Sequence, residues 1–200
     1  MPTPARTSRD EIVAAGREIL ALDGIEALTM QRVADRVGVK APSLYRRVAS
    51  RSALVQLVAA DVVADVISRL EAAASTGDPQ RDLRALAVAL RGFALADPHS
   101  YGLLFSPLPE NSAPDPASFA AAAAPVIRVA GELAGADQAL SAARTVTAWA
   151  SGFLRMELAG GFQLGGSVDE AFEFGIELLG KGLVSTRRPV VTFGVSARPL

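Results

Sequence analysis

Between Thr29 and Arg51 the chain reads TMQRVADRVGVKAPSLYRRVASR, two short helical patterns flanking Gly38-Val39. Thr29 is placed to cap the first pattern, its hydroxyl accepting from an otherwise orphan backbone N–H. Val33, Ala34 and Val37 then fall on one face at helical spacing. Gly38 stands where the chain must reverse, and glycine tolerates the left-handed conformation such a turn commonly needs. Pro42 suits the first turn of a second helix, where a missing N–H costs no helical bond. That helix is expected from Ala41 to Val48, with Leu44 and Val48 inward and Ser43, Tyr45, Arg46 and Arg47 largely outward. Six of the 23 residues are Lys or Arg against a single acid, Asp35. A helix-turn-helix whose second helix is basic and carries an aromatic is the arrangement that sets side chains in a DNA major groove.

The rest of the chain also reads as helix. Ile12, Ala15, Gly16, Ile19 and Leu20 give a first helix its apolar stripe, and Gly24 ends it. Ser50 caps a long fourth helix to Ala74, and Ser75-Thr-Gly-Asp-Pro79 stops it. Leu83, Leu86, Leu90 and Phe93 mark a fifth. Asp97-Pro98 opens a short sixth as N-cap and N1 proline, and prolines at 107, 109, 114 and 116 make a loop. Further helices are expected over 117–134, 137–160 and 168–184, the last started by Ser167-Val-Asp-Glu170 with capping-box spacing. Val190 to Val195 in the tail has the composition of a locally extended segment.

Residues 8 to 58 or so resemble the DNA-binding head of the TetR family of transcriptional regulators. The features carrying the resemblance are Gly24, Thr29-Met-Gln-Arg-Val33-Ala34, Gly38-Val39, Leu44-Tyr45-Arg-Arg-Val48 and Arg51. Val48 stands where the family usually has Phe, and Arg51 where Lys is commoner. A second segment, Asp97 to Pro109, together with Glu157-Leu-Ala-Gly160, is similar to the subgroup with a Trp-His-Gly type C-terminal domain; Ser151 replaces its His. The resemblance implies an all-α fold of about nine helices. A DNA-binding helix-turn-helix domain over residues 1–50 would precede a ligand-binding and dimerisation domain over 51–186 and a tail over 187–200.

Composition narrows the alternatives. With no Cys and one His in 200 residues there is no disulfide framework, thiolate metal site or Cys nucleophile. No run of 18 uncharged apolar residues spans a bilayer, the Ala-rich stretch from Phe119 to Ile127 being too short, and the N-terminus lacks a signal-peptide core. A cytoplasmic protein without cofactor or membrane partner is expected. The net charge of −1 hides an asymmetry, nine Lys/Arg against six Asp/Glu in residues 1–56 and eleven against fifteen thereafter. A basic head on an acidic body favours an orientation with the head toward phosphate.

Thr29, Lys40, Ala41, Ser43, Tyr45, Arg46, Arg47 and Arg51 are the candidate contacts to double-stranded operator DNA. Arg6 and Arg9 form a candidate N-terminal arm, or a tail without a role. The resemblance implies a homodimer through the last two helices, where Phe172, Ile176, Leu179 and Leu183 form an i, i+4, i+7, i+11 stripe. The competing assignment is that both helices are ordinary core. Phe93, Tyr101, Phe105, Phe119, Trp149 and Phe153 are candidates to wall an apolar effector cavity, with Arg128, Arg144 or Glu157 orienting the ligand. Aromatics at helical spacing serve equally as core. His99 is expected at the surface. A repressor released from a palindromic operator by a small apolar effector follows; a helical adaptor without sequence-specific DNA binding is the alternative. An enzyme is least favoured, since no nucleophile-base pair or phosphate loop is present.

Overall fold

The computed structural model describes residues 8–105, 112–113 and 115–187. The tail segment Val190–Val195, Arg6 and the prolines at 107, 109 and 114 lie outside the described residues. The fold is all-α: α1 (Arg9–Asp23), α2 (Met30–Arg36), α3 (Ala41–Tyr45), α4 (Arg51–Ala73), α5 (Pro79–Ala96), α6 (Pro98–Phe105), α7 (Pro116–Ala134), α8 (Ala139–Leu158) and α9 (Val168–Thr186). No strand occurs among the described residues.

Capping explains most of the boundaries. Ser8 and Glu11 form a reciprocal capping box at α1. Thr29, Ser50 and Ser167 accept from the backbone amides of Arg32, Ala53 and Glu170 at α2, α4 and α9. Asp78 and Asp97 do the same at α5 and α6, each followed by proline. The helix expected to reach Val48 is shorter and ends at Tyr45, because the amide of Arg47 bonds to the Leu44 carbonyl in a tightened turn. Gly38 takes φ +74° with open space where a Cβ would be. Backbone conformation, not crowding, is therefore what calls for glycine there.

One apolar core runs through the molecule, and α4 is its spine. Leu54 and Val58 pack beside Gly16 and Leu28 of the head, so tightly that a Cβ at Gly16 would lie 2.6 Å from Val58 Cγ2. Further along the same helix, Val62, Val66 and Leu70 are buried in the body. The core is thus continuous across residues 50 and 51. The body joins the head a second way, since α6 packs on α1 and the exposed His99 ring lies against Gly24.

Helix α7 corrects the expectation that its apolar stretch is too short. Pro116–Ala134 is long and apolar enough to cross a membrane by length and composition, with mean hydropathy 1.3. In the fold it packs against α4, α5, α8 and α9, burying Pro125, Val129, Ala130, Leu133 and Ala134 in its second half, while most of its first half is exposed.

Candidate DNA-binding head and ligand cavity

The outward side of the helix-turn-helix is exposed and cationic. Ser43, Tyr45, Arg46 and Arg47 are exposed around α3, Lys40 is exposed at its N-cap and Ala41 is half-buried, while Leu44 and Val48 anchor the helix in the core. Local acids sort the cations. Arg17 pairs with Asp61 and Asp65, Arg32 with Asp23, and Arg36 with Glu18. Among the described residues, Lys40, Arg46 and Arg47 are exposed and have no acidic partner. Thr29 spends its oxygen on the cap of α2 and keeps its hydroxyl proton to donate.

Arg51 is placed differently from its neighbours. Its Nε donates to the Leu28 carbonyl at 2.9 Å and an Nη to the Ile25 carbonyl at 2.8 Å. Those carbonyls lie in and beside the one-turn 3-10 segment Ile25–Ala27, so the guanidinium ties the start of α4 to the α1–α2 connection. It acts here as a brace.

In the body, α4, α5, α6, α7 and α8 line a partly open cavity of about 190 Å³. Val66, Leu70, Leu86, Val126 and Ala150 are among its walls, and Thr147 is the one polar side chain lining it among the described residues. Of the six aromatics expected to wall it, only Phe105 and Phe119 do so, each 40% exposed. The other four fall elsewhere. Phe93 is buried under the Arg69 guanidinium, 5.6 Å from its ring centre. Tyr101 stacks obliquely on Phe105, 5.1 Å between ring centres, in a separate hollow. Trp149 and Phe153 join Phe172 in an aromatic cluster between α8 and α9, with Phe162 against Phe153.

The groups expected to orient a ligand are also engaged. Arg128 donates to the Ala74 carbonyl and pairs with Glu132. Glu157 accepts from Arg91, which also reaches Asp169 and lies over the Phe172 ring at 4.8 Å. The Glu157 bond, more than any other contact, holds the Arg91 pKa above its ordinary value. This network clamps α5, α8 and the start of α9 together. Arg144 is exposed and does not line the cavity. The aliphatic cavity walls escaped sequence reasoning because small and branched aliphatics carry no chemical signal; only their register on five separate helices marks them.

The stripe proposed as a dimer interface requires correction. Phe172, Ile176 and Leu183 are buried within the single chain and Leu179 half-buried, against α5, α7 and α8. Phe172, Ile176 and Leu183 took the intrachain face because α9 closes the core over α5, α7 and α8. On its outer side α9 instead presents Phe174 and Leu178, 68% and 59% exposed, while α8 presents Thr145, Ala148, Gly152 and Met156.

Comparison with known proteins bears on both halves. Residues 12–58 match the family described as bacterial regulatory proteins, tetR family, and residues 83–179 match the tetracyclin repressor-like C-terminal domain. An uncharacterized HTH-type transcriptional regulator of Mycobacterium tuberculosis is 32% identical over 161 residues, 78% of this chain and 73% of that protein. The chain belongs to the TetR family. It is accordingly a helix-turn-helix transcriptional regulator and not an enzyme. The TetR fold is shared with the transcriptional regulator SCO7222 of Streptomyces coelicolor, at TM-score 0.68 and 21% identity over 92% of this chain and all of that one. It is shared too with a TetR variant from Acinetobacter baumannii solved in complex with minocycline, at TM-score 0.66 and 23% identity over 92% and 99% of the two chains.

Proposed function

We propose that this TetR-family regulator is a repressor that binds a near-palindromic operator as a homodimer and leaves it when a small apolar effector fills the body cavity. The observation carrying this is that one helix serves both sites. Leu54 and Val58 of α4 pack into the head, while Val63, Val66 and Leu70 of α4 line the cavity. A ligand that prefers one placement of α4 changes the spacing of two heads across a dyad, acting only through its differential affinity for the two states. In this reading Thr29, Lys40, Ala41, Ser43, Tyr45, Arg46 and Arg47 face DNA, and Arg51 sets the pitch of the head.

The proposed interface is the outer face of α8 and α9. Phe174 and Leu178 are large and the α8 stripe of Thr145, Ala148 and Gly152 is small, so knobs from one copy fit the shallow groove of the other. The minocycline complex of the Acinetobacter relative supports a ligand-binding role for the body, although the present cavity has its own, almost wholly apolar lining.

The test begins with duplexes selected from a random pool by the purified chain. Near-palindromic sites with half-sites one helical turn, or a multiple, apart are expected. A panel of uncharged aromatic and aliphatic compounds should then contain one that releases the selected duplex. Ala123→Phe, which places a ring in the cavity, should keep DNA binding and resist that release. Recovery of no preferred sequence, or equal release from Ala123→Phe, contradicts the proposal.

A further inference from the structure

A second hollow, about 530 Å³ and more open, lies between α6 and α8. Pro98, Tyr101, Gly102 and Phe105 line one side of it, and Ser151, Arg155, Leu158 and Ala159 the other. Phe105 also lines the apolar cavity, so one ring stands between the two spaces. Tyr101 is 5% exposed, and its hydroxyl lies near the buried hydroxyl of Ser151 without meeting it, or any other group, in hydrogen-bond geometry. Even when such a pair bonds to itself, one donor and several lone pairs remain on the wall of the hollow for a further polar group.

Arg155 supplies the sign of that group. Arg69, Arg84, Arg91 and Arg128 of the body are ion-paired, whereas the exposed Arg144 and Arg155 have no acidic partner among the described residues, and of these two only Arg155 lines the hollow. Its charge is felt at the phenol. Burial raises the Tyr101 pKa, and the nearby Ser151 hydroxyl and then the Arg155 cation oppose that rise. Two hydroxyls that can donate and one guanidinium fork suit an acceptor carrying a single negative charge, which is a carboxylate. A dianionic phosphate would leave one charge unmatched.

We infer that the effector is an amphipathic organic acid, its apolar body in the α4–α5–α7–α8 cavity and its carboxylate in the hollow of Tyr101, Ser151 and Arg155, with Phe105 turned aside between them. This rests on the proposed role of the cavity as the effector site and adds the chemical class of the ligand. Arg155 is the selectivity residue, and the two hydroxyls complete the cradle.

The test uses the full chain and phenylalkanoic acids with chains of two to eight methylenes, each compared by calorimetry with the primary alcohol of the same length. At least one acid should bind about tenfold more tightly than its alcohol, the gain of a charge-assisted pair. Arg155→Gln, an exposed position whose change leaves the core intact, should bring that acid to the level of its alcohol and leave the alcohol unchanged. Tyr101→Phe should weaken the acid severalfold. A higher Tm in Tyr101→Phe with unchanged acid affinity would instead make the phenol structural and overturn its part in the cradle. Alcohols binding as tightly as acids, or Arg155→Gln weakening both alike, overturns the acid head while leaving the apolar cavity intact, provided Ala123→Phe abolishes alcohol binding. Binding of no acid in the series overturns the inference outright; release of operator by the uncharged panel would then show that the cavity still takes an effector.

Discussion

The Trp149 indole lies against the backbone of Gly175, with no room for a methyl group between them. This contact sets how closely α8 and α9 cross, and it puts the single Trp of the chain beside Phe153 and Phe172. Gly175→Ala must push the helices apart or force the indole off its rotamer, an overpacking cost of about 1–3 kcal/mol. Urea unfolding followed by Trp149 emission measures it. Because Trp149 does not line the cavity, its emission reports the α8–α9 crossing and not direct contact with a ligand.

The two faces of α9 should respond differently to charge. Ile176→Asp buries a carboxylate in the intrachain core, where an unpaired charge is strongly disfavoured, and should abolish folding. Phe174→Asp with Leu178→Asp changes only exposed positions and should leave a folded chain with native circular dichroism. If the outer face is the interface, light scattering will give that double variant the mass of one chain and the parent the mass of two.

Asp82 should make stability depend on pH at the acid end. Its enclosed carboxylate accepts from the Thr76 hydroxyl at 2.6 Å and the Thr76 amide at 2.9 Å, and these bonds, the hydroxyl first, hold its pKa below the ordinary value of 3.8. A depressed folded-state pKa means that the contribution is complete above the unfolded value and is lost as pH falls through the folded one. Asp82→Asn should therefore lower Tm at pH 7, and the difference from the parent should shrink below pH 3.8. A Tm difference independent of pH would place the contribution in packing.

The head was legible because its signals are local. A cap, a positive-φ glycine and a 3.6-residue stripe each act within a few residues, so Thr29, Gly38, Leu44 and Val48 could be placed without knowing what packs on them. The body was legible only as helices. Which face of α9 looks inward depends on α5, α7 and α8 arriving together, and the Phe172–Ile176–Leu183 stripe was drawn into the core that a dimer assignment had placed outside. Aromatics misled in the same way: Trp149 and Phe153 fill the α8–α9 seam, and aliphatic side chains shape the cavity with only Phe105 and Phe119 of the expected rings. Arg51 looked like a phosphate contact until the carbonyls of Ile25 and Leu28 came within reach, a relation across more than twenty residues.

That position gives a distinction within the head. Arg51→Ala removes two hydrogen bonds to backbone carbonyls and should lower Tm, a hydrogen bond to a charged group contributing about 1.5–3 kcal/mol. Operator affinity should fall with it, while the salt dependence of the remaining binding stays near that of the parent. A normal Tm with a flatter salt dependence would return Arg51 to the phosphate contacts.

The most direct test is the salt dependence of binding to the selected duplex, measured by fluorescence anisotropy for the parent and for the Arg46→Ala, Arg47→Ala double variant. Both side chains are exposed and without an acidic partner among the described residues, so removing them should not disturb the fold. If they meet phosphates, affinity should fall across all sequences, and the slope of log K against log salt should lessen by about one for each phosphate no longer neutralised. Unchanged affinity and slope in a folded double variant would contradict this docking of α3 on DNA.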